Sequence, residues 1–148
     1  ALPISAFTRT AISWFDIATA QDFAISATGQ MGTQFREVSW GIGFRGSGEK
    51  DSYFLFSIYN DSTYAFEIYE NRVWIPLISR RPLSGMLPDQ PNKITVIAEG
   101  QNFRFLVNDQ AVNFFNGGLL EGLQIFLMVS VREGASVDFV FDDIVVQI

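Results

Sequence analysis

The chain contains no cysteine and no histidine. Without cysteine there is no disulfide and no thiolate chemistry. Without histidine there is no Ser-His-Asp triad, no imidazole base near neutral pH and no imidazole-held metal. Lysine is scarce as well, with Lys50 and Lys93 alone. The 10 basic and 16 acidic side chains leave a formal charge of −6, the opposite of a nucleic-acid footprint. Charged residues make up 18% of the chain and apolar residues 48%, which excludes disorder. Long hydrophobic runs are missing too. A stretch such as Ile125 to Val129 falls far short of the ~20 residues of a membrane-spanning helix. No signal-peptide pattern is visible. The chain opens on Ala1, the start expected of a processed chain or of a piece of a longer protein.

What the chain does have is aromatic side chains, 15% of the total, with 15 Phe among its 148 residues. Phe-rich, β-branched-rich, Lys-poor composition suits strands better than surface helices. The apolar period is two in five segments. Phe54, Phe56 and Ile58 alternate with Tyr53, Leu55, Ser57 and Tyr59, and Tyr64, Phe66 and Ile68 with Ala65, Glu67 and Tyr69. Residues 94–99, 103–108 and 137–142 repeat the pattern. Such alternation predicts half-buried antiparallel strands. Turn residues separate the segments, as at Gly46-Ser47-Gly48, Asn60-Asp61-Ser62, Glu70-Asn71 and Asn108-Asp109. Their spacing of about 8–12 residues is that of sandwiches and barrels. Residues Arg80 to Asn92, with Pro82, Pro88 and Pro91, read as a loop crossing between sheets. Helix is limited to a single turn at Thr19–Gln21 or Leu119–Gly122. The prediction is one all-β domain over residues 1–148, a two-sheet antiparallel sandwich of about 10–13 strands. Its core comprises Phe54, Phe56, Ile58, Phe66, Val96, Phe105, Val107, Phe139 and Phe141. Tyr53–Tyr59 and Gln124–Val131 are apolar on both faces, which fits a central sandwich strand or an aromatic binding face.

Several pieces, taken in order, resemble one superfamily. They are Trp40-Gly41-Ile42-Gly43-Phe44-Arg45, the hairpin Tyr53–Ile58 with Tyr64-Ala65-Phe66, the hairpin Asn92–Gly100 with Phe103–Gln110, and Phe141-Asp142-Asp143-Ile144-Val145-Val146. Together they resemble the strands of concanavalin A-like lectin/glucanase jelly rolls, particularly bacterial domains of the 3-keto-disaccharide hydrolase type. The resemblance spans about Asp22 to Ile148. Asp109 stands where that family usually has Gly, and Asp143 where it usually has Asn. The resemblance implies two stacked antiparallel sheets, one of them concave, and a binding module of a secreted or membrane-anchored protein.

The residues that could carry chemistry are few. Glucanases of that superfamily use an E-x-D-x-x-E-like motif, in which strand alternation puts two carboxylates on one face. Glu67-Ile68-Tyr69-Glu70 breaks it, because Tyr69 replaces the Asp and Glu70 falls on the opposite face. Gly41–Gly46 spells G-x-G-x-x-G, but no helix N-terminus follows to hold a pyrophosphate. Asp142-Asp143 are neighbours on a strand and point to opposite faces, so no metal and no cofactor are expected. Asn60-Asp61-Ser62 matches a glycosylation sequon and marks an exposed turn. Arg45 ends an apolar strand and either forks to a sugar or pairs with a strand carboxylate. Tyr53, Tyr64 and Trp74 offer aromatic faces, and Asn108 offers amide hydrogen bonds. The sequence therefore points to a non-catalytic module for carbohydrate or a cell-surface glycan, outside the cell or at its surface. A keto-sugar hydrolase and an assembly subunit packed on other domains or chains are the alternatives.

Overall fold

The computed structural model describes residues 2–6, 10–31, 37–132 and 137–148. Twelve strands occur among them: β1 (Leu2–Ala6), β2 (Thr10–Thr19), β3 (Phe23–Gln30), β4 (Glu37–Gly46), β5 (Ser52–Tyr59), β6 (Thr63–Glu70), β7 (Val73–Pro82), β8 (Pro91–Glu99), β9 (Asn102–Val107), β10 (Gln110–Asn116), β11 (Gln124–Arg132) and β12 (Val137–Gln147). All pairings are antiparallel. They build a back sheet ordered β1-β12-β3-β8-β9-β10 and a front sheet ordered β2-β11-β4-β5-β6-β7. The described residues contain no helix. Thr19 instead closes β2, and 119–122 lie in the irregular link from β10 to β11. The crossing between sheets is also shorter than expected. Arg80 to Pro82 complete β7 and Pro91 opens β8, leaving 83–90 as the link. Pro76 is tolerated inside β7 because β7 is an edge strand with one unpaired side.

Two-residue hairpins follow from local chemistry. Asn71-Arg72 and Asn108-Asp109 each take two positive φ angles, 54° and 63°, then 50° and 66°, as the I′ turn requires. Asp tolerates this region, so Asp109 serves where Gly would be usual.

All nine expected core residues are buried between the sheets. Phe105 of the back sheet stacks on Phe56 of the front sheet at 4.5 Å, and Phe66 lies 4.7 Å away. The two outer faces differ. Back-sheet strands alternate buried and part-exposed, as in Phe23–Gln30 and Pro91–Glu99, so that face meets solvent. Front-sheet strands β4 and β5 are buried on both sides. Their outer face carries a second apolar cluster of Tyr53, Leu55, Phe126 and Met128, flanked by Ile12, Tyr69 and Trp74.

Candidate functional site: a trough on the front sheet

Small side chains line the middle of the front sheet's outer face. Cross-strand pairing sets Gly41 beside Ser57 and Met128, Gly43 beside Leu55 and Phe126, and Ser57 beside Ala65. Taller groups stand at either side, with Ile12 and Trp14 on β2 and Trp74 and Arg80 on β7. The result is a trough rather than a flat sheet. It holds two cavities of about 820 and 350 Å³, both bordered by Ile12 and Trp74. The glycines of Gly41–Gly46 are therefore steric. A methyl on Gly43 would stand closer than 3.0 Å to the Phe126 ring, and one on Gly41 would press on the Phe56 carbonyl and on Ser57. With all of Gly41 to Gly46 on β4, the dinucleotide motif has no context.

The larger cavity lies toward the β4–β5 and β6–β7 turns and is aromatic. Tyr53 contacts Tyr69, Trp74 and Phe126 at centroid distances of 5.2, 5.7 and 5.0 Å. Trp74 and Tyr69 are 4.8 Å apart. Trp14 is 47% exposed, and its indole N–H donates to the Tyr53 oxygen. The Tyr53 hydroxyl in turn donates to Met128 Sδ at 3.7 Å. Burial pushes the Tyr53 phenol up to about 12. At this end Lys50 reaches from the β4–β5 turn to Asp16 on β2, Nζ to Oδ1 2.8 Å, and sits 5.4 Å from the Phe126 ring centre.

The smaller cavity lies toward the β5–β6 turn and is polar. Leu55, Ser39, Ser57 and Ser130 form its base, with Glu37, Tyr59, Glu67 and Arg80 around it. Arg80 lies 3.8 Å over the Tyr59 ring. Its Nη1 donates to Glu37 at 2.6 Å, its Nη2 to Asp61 at 2.8 Å and its Nε to Thr63 Oγ1 at 2.8 Å. The Tyr59 hydroxyl donates to the Glu67 carboxylate. Burial pushes the Tyr59 phenol up to about 12, and the Glu67 charge adds to it. Burial also raises the Glu67 carboxyl above its ordinary value, against the opposing pull of Tyr59 and Arg80.

Of the five residues singled out in the sequence, Tyr53 and Trp74 meet in this trough. Tyr53 is only 1% exposed and forms its floor. The other three lie elsewhere. Arg45 is 2% exposed and points away from the trough, because a register shift opposite Gln124–Phe126 and a φ of 51° reverse strand parity at that residue. Its Nε and Nη2 donate to Gln21 O at 3.2 and 3.1 Å, Nη2 pairs with Asp22 at 3.3 Å, and the group covers Phe103 at 4.8 Å. Burial lowers its pKa, and Asp22 partly opposes this. Tyr64 belongs to the inter-sheet core, where its hydroxyl accepts from Asn113 Nδ2 at 3.2 Å. Asn108 staples its turn to the crossing link. It accepts from Lys93 N at 2.9 Å and donates to Gly85 O at 2.9 Å and Asn92 Oδ1 at 3.0 Å.

Sequence reasoning did not single out Trp14 or Glu37. Ile12 and Trp14 face the trough while Phe15 and Ile17 pack on the core, a strand alternation that was available to find Trp14. The sequon forms the β5–β6 turn, with Asn60 Oδ1 accepting from Val38 N at 3.2 Å. The Asp142 carboxylate accepts from Asp143 N at 3.0 Å, at a bulge where Asp143 has a φ of 50°. Among the described residues no three acidic side chains gather as a metal site.

Comparison with known proteins places the architecture. No family model and no curated protein matches the sequence. Solved structures do match in shape. A carbohydrate-binding module, CBM66, from Bacillus subtilis superposes with a TM-score of 0.75 at 13% identity, over 95% of this chain and 83% of that one. Sheep galectin-11 gives 0.64 at 14%, over 90% and 95%. A glycoside hydrolase family 16 endo-glucanase from Bacteroides ovatus gives 0.71 at 8%, over 97% and 79%. At such identities the likeness is one of fold. The chain has the antiparallel jelly-roll sandwich fold of these structures, and its front sheet carries the trough.

Proposed function

We propose that the protein is a non-catalytic glycan-binding module and that the trough is its site. The observation that carries this is the pairing of aromatic rings and polar groups along one face. Trp14, Tyr69 and Trp74 offer apolar faces for pyranose rings, with Tyr53 beneath them. Glu67, Tyr59 and the serines of the adjoining cavity offer partners for hydroxyls. The likeness to a carbohydrate-binding module and to galectins supports the reading. Such a module would meet its ligand outside the cell or at its surface. Affinity electrophoresis against a panel of polysaccharides is the test. Retardation on at least one polymer is expected, and the folded protein running unretarded on all of them overturns the proposal.

A second reading has one observation of its own. Two carboxylates, Glu37 and Glu67, line the same cavity, and Glu67 has the raised proton affinity of a general acid. Against it, Glu37 is held by Arg80 at 2.6 Å. Release of reducing ends from a retained polysaccharide, lost in Glu67→Gln, would establish hydrolysis.

A further inference from the structure

The charges around the polar cavity bear on which glycans the trough can take. Each nitrogen of Arg80 already donates to an oxygen of Glu37, Asp61 or Thr63. Lys50 is engaged by Asp16. Among the described side chains, one further cation lines the trough, Arg72, which stands at the far turn among Glu49, Asp51 and Glu70. Glu67 faces the cavity with Leu55 beside it on β5 and Pro76 on β7, and with Tyr59 as its hydrogen-bond donor. An ionised carboxylate only accepts hydrogen bonds, and Tyr59 supplies just one to its two oxygens. A sugar hydroxyl can donate the others, whereas a uronate or sulfate would set like charges together in a partly desolvated site.

We propose that the polar half of the trough selects neutral saccharides, with Glu67 accepting hydroxyl hydrogens of one sugar ring and turning away chains that carry carboxylate or sulfate. This rests on the glycan-binding reading above and names the ligand class of the same site. The burial that raises the Glu67 carboxyl fits a group awaiting donors rather than one satisfied by solvent. Aromatic walls without Glu67 would bind any pyranose by its apolar face, so the discrimination belongs to this residue.

The test compares dissociation constants for soluble neutral chains (mixed-linkage β-glucan, galactan and mannan) with polygalacturonate, alginate and chitosan oligosaccharides. The same panel is run on Glu67→Gln, with its melting temperature measured alongside. The native protein should bind one neutral chain at least ~100-fold tighter than either polyanion. Glu67→Gln should narrow that ratio about tenfold, the difference between a charged and a neutral acceptor. Equal affinity for neutral and anionic chains overturns the inference and leaves glycan binding standing. So does an unchanged ratio in a folded Glu67→Gln, or tighter binding of chitosan than of any neutral chain. No binding to any member of the panel overturns both.

Discussion

The trough depends on glycines whose side-chain hydrogens face bulky neighbours, so alanine substitutions along β4 and its following turn should differ in sign and size. At Gly43 the new methyl would stand closer than 3.0 Å to the ring of Phe126. Overpacking of this kind costs about 1–3 kcal/mol. Replacing Gly by Ala also restricts the unfolded chain, which offsets about 0.4–1 kcal/mol. The net expectation is a loss of about 1–2 kcal/mol, or roughly 2–8 °C in melting temperature at this chain length. At Gly41 the obstacle is the Phe56 carbonyl, which cannot move without breaking the sheet, so the loss should exceed that at Gly43. At Gly48 nothing lies within 4 Å and φ is outside the left-handed region, so only the unfolded-state effect remains. Gly48→Ala should gain about 0.4–1 kcal/mol. Urea unfolding of the three variants, read by tryptophan fluorescence, gives the order directly. Gly43→Ala as stable as the native chain, or Gly48→Ala destabilised to the same extent, would refute the steric account of the trough.

Phe105→Ala, in the middle of the ring stack, should cost about 3–5 kcal/mol, whereas Phe114→Ala, at a residue 72% exposed, should stay within about 0.5 kcal/mol. Comparable losses in urea would mean the facing of β9 and β10 is inverted. Arg45→Met should cost about 1.5–3 kcal/mol through its lost charged hydrogen bonds and leave polysaccharide retention intact. Lost retention at unchanged stability would return Arg45 to the binding site. Trp74→Ala should weaken retention about tenfold, the worth of one stacking face, with a small change in melting temperature. A large fall in melting temperature with retention kept would make it structural. For Glu67 the folded carboxyl lies above its ordinary 4.5, so the native state holds the proton more tightly than the unfolded chain. Its contribution is present below that value and is lost as pH rises through the folded one. Melting curves from about pH 4 to pH 8 should show Glu67→Gln gaining on the native protein as pH rises, and a shift the other way contradicts the burial argument.

Much of the architecture was legible in the chain. Period-two alternation placed residues 53–59, 64–69, 94–99, 103–108 and 137–142 in strands and assigned nine core residues to the inner faces, where they are buried. Tyr64 was singled out as a ligand residue, yet it stands two residues before Phe66, so strand parity puts it inside, where it is buried. Parity likewise put Tyr53 opposite Phe54, on the outer face. Local rules suffice for these facts, because successive side chains on a strand must alternate.

Arg45 shows where such rules stop. One left-handed residue at a bulge reverses the face, and the bulge arises from pairing with β11, about 80 residues away. The polar end of the trough is similar. Arg80 meets Glu37 across 43 positions of sequence, and Tyr59 meets Glu67 from the neighbouring strand. Composition and spacing could set aside histidine, cysteine and basic-patch chemistry and could state a period. Which of the two outer faces would be a trough was decided by sheet order and register, since these alone bring Gly41 and Gly43 between the walls of β2 and β7. Strand pairing is non-local. A single chain encodes which side chains share a face, and the tertiary structure decides which faces meet and what stands across the gap.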